Sequence, residues 1–477
     1  MDGSRDSSVT EQELIYILYL SKNGIPEVKF FSIESVKAAD AEGLKSSLEE
    51  AFECVGISCF ASRLHGLNVD GASVNTGIHR GLGARIRELA PWLTVVHCFN
   101  HRLELSVKDA FKGTFFDEID MMLLKLYYLY KKSSKRTREL EAFGEIYDKV
   151  ITKPCKSSGT RWVAHKPVQV LSLAMQQELH DPVVQVKHIN EFGWSMLKLN
   201  ALLTESIDKN TSRLTNYTKF LKEVTCVEGS YKYQEIKLLN FDASSEKIKK
   251  SYSDVISCLT AKMNERFKDL QSHSVIKGIA ILDCSRWPRD DLNLSVYGEK
   301  EIDALTKHFS SLLSNNGCDI DKITTEWDLL KLEVNTLISG CCSIKYLDVW
   351  QRVFSLPDRK SLENVLHIIE LLLITPTTNA KLERMFSRMS RMKNDWRNRL
   401  TRERLEHNLR IGEDGPSIKN FDPEESIRHW SNERIRRVKG AKPHRYPKKR
   451  RKTERSSSVD VVTYCMSDFE SESSDEE

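Results

Sequence analysis

Hydrophobic positions in the first hundred residues alternate between strand-type runs and helical stripes. The strand-type runs cover 14–20, 27–36, 64–70 and 93–99, and the first two are rich in β-branched and aromatic side chains. Asn23-Gly24, between the first two runs, is typical of a hairpin turn. Leu44 and Leu48 lie on one helical stripe, and a second helix is expected over about 74–90. The pattern predicts a hairpin followed by helix, strand, helix and strand, which is an α/β arrangement.

Helical spacing dominates from residue 101 to 375, and apolar side chains recur on one face, as at Ile119, Met122 and Leu126. No fixed repeat period is present, which argues against a solenoid. Two further helices are predicted within 360–411, separated by Pro376. The predicted divisions are an α/β part at 1–112, a helical insertion at 113–359, a helical C-terminal region at 360–411 and a mostly disordered tail at 412–477.

Composition describes an ordinary globular protein of 477 residues, with 40% hydrophobic and 29% charged residues and a net charge of +4. The eleven cysteines form no CxxC pair and no regular framework, so we expect reduced thiols in a cytosolic or nuclear protein. No apolar run approaches the roughly 18 residues of a membrane helix, and no signal peptide is apparent. We therefore expect no membrane partner.

Asp70 in "NVDGASVN" stands where an apolar run ends and a turn begins. Acids at such strand ends can line the ligand crevice of an open α/β sheet, whereas the alternative is an aspartate that caps a turn or helix. Asp2 in "DGSRD" has the same local pattern. Carboxylates that meet from separate strands can hold divalent metals for phosphoryl transfer.

Two other segments contain candidate chemistry. Cys98 and His101 form a C-x-x-H pair, but zinc needs four ligands and no second pair has finger spacing, so we expect structural roles and no metal site. Arg161 and Trp162 could stack a base and hold a phosphate, or Trp162 could anchor a loop on the core.

The helix over about 378–411 has one apolar face bordered by arginines. Such a stripe is either core or an inter-subunit contact, where methionine, aromatic residues and arginine are enriched. Its members are Leu382, Met385, Phe386, Met389 and Trp396. Further on, 434–455 contains twelve Lys/Arg and one acid, and 467–477 contains six acids and no base. The basic run Lys448, Lys449, Arg450, Arg451 and Lys452 predicts nuclear localisation.

Several of these segments resemble the hAT family of transposases and the host proteins derived from them. The resemblance rests on "NVDGASVNTG", "HCFNHRLELSVKDAF", "GTRW" and "PTTNAKLERMFSRMSRMKNDWRNRL", which occur in the family's order. It implies an RNase-H-like core interrupted by a helical insertion, with a C-terminal dimerisation region. It also implies catalytic roles for Asp2, Asp70 and Glu383, and a role for Trp162 at the DNA end. Cys98 and His101 match the family's C-x-x-H motif.

In that family a central strand precedes "DGS", often after a zinc finger. Because this sequence starts at Met1-Asp2, we expect that strand to be missing and Asp2 to lie on a frayed terminus. The expected fold is α/β plus all-α: an incomplete RNase-H-like core, a large helical insertion, a helical dimerisation region and a disordered tail. We expect a nuclear homodimer without transposase activity, with DNA as a candidate partner and no small-molecule substrate. One alternative is an active DNA-cleaving transposase, which alone requires Mg²⁺. The other is a plain helical scaffold whose α/β portion is vestigial.

Overall fold

The computed structural model describes most of the chain. The described residues are 1–5, 11–36, 38–131, 133–146, 180–208, 223–227, 230–233, 236–238, 245–339, 345–393, 397, 399–417 and 419–433. The chain divides into two compact units, Met1–Leu126 with Ser157–Asp414 and Tyr127–Lys156 with Gly415–Glu477. None of the helices in the described ranges combines the length and the apolar composition needed to cross a membrane.

The N-terminal sheet has three antiparallel strands in the order β1-β2-β3: Asp2–Arg5, Glu11–Leu20 and Pro26–Ser35. The predicted hairpin is confirmed, and Gly24 in its turn has a φ of 72°, which suits a residue without Cβ. A bulge interrupts the β2–β3 register between Ile15 and Tyr16. The sequence pattern did not predict β1, because four residues are too few to show an alternation.

A parallel pair of strands follows, β4 (Gly66–Val69) and β5 (Thr94–His97). Helix α1 (Ala41–Glu53) precedes it and is capped by Asp40, whose carboxylate accepts the Gly43 N–H at 2.8 Å. Two short helices, α2 (Ser73–Thr76) and α3 (Leu82–Arg87), connect the two strands. The predicted order of hairpin, helix, strand, helix and strand is confirmed, with the second predicted helix split into two.

Helices make up most of the structure after β5. They are α4 (Phe99–Phe111), α5 (Phe115–Lys131), α6 (Ser134–Ile146), α7 (Pro182–Asp208), α8 (Ser245–Arg266), α9 (Asp269–Ser272), α10 (Ser274–Gly278), α11 (Asp291–Ser295), α12 (Glu299–Asn315), α13 (Ile323–Ser339), α14 (Tyr346–Phe354), α15 (Glu363–Leu373), α16 (Ala380–Met392), α17 (Arg402–Asp414) and α18 (Glu424–Glu433). Short 3₁₀ helices cover Phe60–Arg63, Ile279–Leu282, Cys284–Arg286, Ile320–Lys322 and Arg359–Leu362. The second unit contains the end of α5 together with α6 and α18.

One expectation from the sequence is wrong in detail. The segment 113–359 is not entirely helical, because β6 (Val224–Val227), β7 (Ser230–Tyr233) and β8 (Ile236–Leu238) form an antiparallel sheet within it. These strands are three or four residues long, which is too short for an alternation of apolar and polar residues to be recognised. Within 412–477 the described residues include the helix α18, and the disorder expected for most of this tail stays a prediction.

The main core of the first unit is built around aromatic side chains. Trp287 packs against Trp327 and Trp350, with ring centroids 5.5 and 6.4 Å apart. Each indole N–H donates to a backbone carbonyl at 2.8 to 3.0 Å, so these large side chains are buried without an unsatisfied donor.

A second, smaller core lies between the β2–β3 hairpin and the C-terminal helices. It consists of buried apolar side chains from the hairpin, α16 and α17: Leu14, Phe30, Ile33, Leu382, Met385, Met389, Leu405 and Leu409. Phe386 is partly buried against it. Burial of this face holds α16, and with it Glu383, over the N-terminal sheet.

A candidate acidic site

Asp2 is the first residue of β1, opposite Leu14 of β2. Its Oδ1 accepts the Gly3 N–H at 3.0 Å, and its Oδ2 accepts the side-chain amide of Asn379 at 3.0 Å. The preceding Met1 is buried, and its amine donates to the Asn68 carbonyl of β4 at 3.1 Å. The expectation of a frayed terminus is therefore wrong, because backbone pairing and two side-chain contacts hold Asp2 in place.

Asp70 directly follows β4, as the sequence predicted. Its Oδ1 accepts the Ala72 N–H at 3.0 Å and the amide of Asn75 at 2.8 Å. The first of these bonds is the turn-capping contact that the sequence left open as an alternative. Asp70 thus stabilises the turn after the strand and also presents its carboxylate at the strand end.

Glu383 comes from the first turn of α16. Both carboxylate oxygens accept the Asn100 side-chain amide, at 2.8 and 3.0 Å. Asn100 belongs to the first turn of α4, which begins immediately after β5. This contact joins positions that are 283 residues apart in the chain.

The charges of Asp70 and Glu383 affect the pKa of Asp2. Burial, together with the negative charges of Asp70 and Glu383, raises the pKa of Asp2 to about 6, while the Met1 amine opposes the shift. Burial is also the main cause that raises the pKa of Glu383. The charges of Asp70 and Glu383 therefore act on Asp2, whereas catalytic roles for the three acids stay a prediction.

Glu13 is an acid near this site that sequence reasoning missed. It lies on β2 opposite Gly3 and is buried. A Cβ on Gly3 would be 2.4 Å from Glu13 Oε2, so glycine makes room for this carboxyl group. Burial, with Asp2 and Asp70 as further causes, raises the pKa of Glu13 to about 8, so the group is mostly protonated at neutral pH.

Asn379 connects the acids to the surrounding helices. Besides its bond to Asp2, its Oδ1 accepts the Cys98 thiol at 2.6 Å, and its carbonyl accepts the Leu382 N–H at the start of α16. It is almost fully buried. The sequence signal was an asparagine immediately before a predicted helix, which indicates a cap but no long-range contact.

Cys98 and His101 lie at the start of α4, where the Cys98 thiol donates to Asn379. Burial raises the pKa of the Cys98 thiol to about 11. His101 lies 3.9 Å from Glu104, on the same helix. These contacts agree with the structural role expected for the pair.

Mg²⁺ fits the donor chemistry of this site but not the observed arrangement. Carboxylates are the ligands that Mg²⁺ prefers. Asp2, Asp70 and Glu383 each accept an asparagine amide instead. Within the described ranges, no three His, Cys, Asp or Glu side chains are placed to hold one ion. In this arrangement asparagine amides, and no shared ion, hold the three carboxylates, and whether they bind Mg²⁺ stays a prediction.

The remaining predicted residues fall into two groups. Arg161, Trp162, Trp396 and the basic run 448–452 lie outside the described residues. Leu382, Met385 and Met389 are buried within the chain, and Phe386 is partly buried beside them. Leu382, Met385 and Met389 are therefore not exposed on the surface of this chain, where a second subunit could contact them. Self-association itself stays a prediction.

Comparison with known protein families concerns the N-terminal part of the chain. The DUF4371 family model, described as ZMYM1/FAM200, RNase-like domain, matches residues 1–81. The match includes β1–β4, Asp2, Glu13 and Asp70, while Glu383 lies beyond it. It supports an RNase-like, transposase-derived domain at the N-terminus, and membership of the hAT family stays a prediction.

Proposed function

We propose that this chain is a domesticated hAT-type transposase that acts as a nuclear, homodimeric, DNA-binding protein without transposase activity. One observation carries the proposal. The charges of Asp70 and Glu383 both raise the pKa of Asp2, although Glu383 is far from the two aspartates in the sequence. The helices between β5 and α16 are the helical insertion of this proposal, and α16 returns the third acid to the sheet.

The strands support an RNase-H-like arrangement. In such a sheet, the first strand lies between the hairpin and the strand that ends on the second aspartate. Here β1 pairs with β2, and the Met1 amine at its start bonds to Asn68 of β4. The order β3-β2-β1 therefore continues towards β4-β5, with that single hydrogen bond as the link.

The hydrogen bonds of the acids support loss of catalysis. Metal-assisted phosphoryl transfer needs carboxylates whose oxygens converge on the metal. Here asparagine amides occupy oxygens of all three acids. These neutral donors stabilise the acids as a structural cluster in the absence of metal.

DNA binding is supported by positive charge rather than by the acidic site. Arg384 and Arg391 are exposed on α16, and 434–455 supplies twelve further basic residues. Such charges favour contact with phosphates, which predicts affinity that falls steeply with salt. Arg161 and Trp162 are the proposed contacts for an unpaired base, and homodimerisation is proposed through the outer surface of the C-terminal helices.

A single assay on supercoiled plasmid tests this function against the active alternative. The purified chain should bind the plasmid in low salt, release it as salt rises, and produce no nicked product with Mg²⁺ or Mn²⁺. Metal-dependent nicking that disappears in both Asp70→Asn and Glu383→Gln, but persists in the exposed-site control Glu424→Gln, would establish an active nuclease instead. Absence of salt-sensitive binding would contradict the DNA-binding part of the proposal.

A further inference from the structure

A groove of about 540 Å³ lies between the end of α5 and the start of α6, within the second compact unit. It is lined by Tyr128, Leu129, Ser133, Lys135, Arg136 and Glu139. The Tyr128 side chain is 41% exposed, and Lys135 and Arg136 are exposed as well. The groove therefore presents an aromatic ring from α5 beside two positive charges from α6.

Hydrogen bonds hold the connection between α5 and α6. The Thr137 hydroxyl donates to the Tyr130 carbonyl at 3.2 Å, which joins α6 to the last turn of α5. The Ser133 hydroxyl accepts the Arg136 N–H at 3.4 Å, and the Ser133 carbonyl accepts the Thr137 N–H at 3.1 Å. These bonds fix the start of α6 relative to α5, and so they hold the two sides of the groove together.

Positive charge and tyrosine are concentrated in this part of the chain. Residues 127–138 contain five Lys/Arg, three tyrosines and no acid. The Lys131 Nζ lies 5.2 Å from the centroid of the Tyr127 ring, and the rings of Tyr127 and Tyr128 are 5.3 Å apart. Basic side chains beside exposed aromatic rings are the combination with which proteins bind a single strand of nucleic acid.

Helix stability does not explain the order of charges along α6. The helix macrodipole favours acids in the first turn and bases in the last turn. In α6 the order is reversed, because Lys135 and Arg136 come first and Glu145 comes last. Glu139 lies 3.9 Å from Lys135, but both side chains are exposed, so this ion pair contributes little. A ligand with negative charge would compensate the two bases.

We propose that this groove binds a single-stranded nucleic acid, with a base stacked on Tyr128 and the adjoining phosphates at Lys135 and Arg136. The bases of a duplex are already stacked on one another, so only an unpaired base can lie on the ring. A phosphorylated peptide would use the charges but not the flat ring. Stacking and phosphate contacts are common to DNA and RNA, and the experiment distinguishes these two sources.

The inference does not rest on the proposed function, because it concerns a different surface and an unpaired strand. The probes are fluorescein-labelled oligothymidylate and oligouridylate of about twelve nucleotides. Their matched control is an abasic strand of the same length, which keeps the phosphates and lacks the bases. We expect saturable binding by fluorescence anisotropy in low salt, with the abasic strand at least about tenfold weaker. The tighter of the two probes identifies the source.

Substitution of Tyr128 tests the stacking contact. Tyr128→Ala should weaken binding of the tighter probe by about tenfold, whereas Tyr128→Phe keeps the ring and should stay within about twofold of the unaltered chain. Tyr19→Ala is the matched control, since Tyr19 on β2 is 40% exposed and should not affect binding. Binding of a duplex of the same length should be unchanged in Tyr128→Ala.

Substitution of the two bases tests the phosphate contacts. Lys135→Gln combined with Arg136→Gln should weaken binding and reduce the slope of log affinity against log salt by about 1.4, because each neutralised phosphate of a single strand contributes about 0.7. The control replaces the exposed Lys300 and Lys307 of α12 with glutamine and should leave the slope unchanged.

Several results would overturn the inference. Failure of both probes to bind, or equal binding of the abasic strand, would exclude a stacked base. Unchanged affinity in Tyr128→Ala would do the same, and a loss in Trp162→Ala instead would assign the base contact to Trp162. If Tyr128→Ala fails to fold, photocrosslinking of a 4-thiothymidine strand to the unaltered chain decides, with Tyr128 as the expected site by mass spectrometry and a crosslink elsewhere as the contradiction. Absence of duplex binding with single-strand binding intact would contradict the proposed function alone.

Discussion

Substitution of Met389 tests whether the apolar face of α16 packs inside the chain or contacts a second subunit. Its side chain is 1% exposed and packs with residues of the β2–β3 hairpin and α17. Met389→Ala removes most of a buried side chain and leaves a cavity, which costs about 2–5 kcal/mol in comparable cores. We expect a decrease of this size in the free energy of unfolding.

Urea unfolding followed by circular dichroism measures this change. A lower midpoint urea concentration, with the same dependence of the unfolding free energy on urea, reports the loss of stability. Met121→Ala is the matched control, since Met121 is 54% exposed on α5 and its removal should change stability by no more than about 0.5 kcal/mol. Light scattering at several concentrations reports the association state in parallel. A Met389→Ala protein with unchanged stability but a lower mass would show that this face contacts a second subunit, and the packing argument would be refuted.

Three further predictions concern buried acids, thiols and localisation. Because burial raises the pKa of Glu13 in the folded state to about 8, stability should fall as pH rises from about 5 to 8, and Glu13→Gln should remove at least about 1 kcal/mol of this loss in unfolding experiments. Cys98 should resist alkylation at pH 7 while exposed Cys54 reacts, as read by mass spectrometry of labelled peptides; equal labelling would contradict the burial. Alanine at all five positions Lys448–Lys452 should move a fluorescent fusion from nucleus to cytoplasm, and unchanged nuclear signal would refute the localisation.

The local elements of the N-terminal part were predictable because their signals are short-range. Asn23-Gly24 between two apolar runs is sufficient to indicate the hairpin, and alternation of apolar runs with helical stripes indicates the following elements. β1 and the β6–β8 sheet were not predictable in this way, because each strand is too short to show its period.

The site itself depends on contacts that no local pattern contains. Asp70 was indicated by its place after a strand, but the bond between Asn379 and Asp2 spans 377 positions. Glu13 was missed because an acid in a strand normally faces solvent, and only the absence of a side chain at Gly3 opposite makes room for it. For α16, helical spacing defined the apolar face correctly but could not determine whether the hairpin or a second subunit covers it.

The most direct test of the acidic cluster is the pKa of Asp2, measured by NMR with ¹³C-labelled aspartate in the unaltered chain and in Asp70→Asn. Since burial and the neighbouring acids raise it to about 6, loss of the Asp70 charge should lower the Asp2 pKa. An Asp2 pKa near the ordinary value of 3.8 that does not change in Asp70→Asn would show that these acids do not meet.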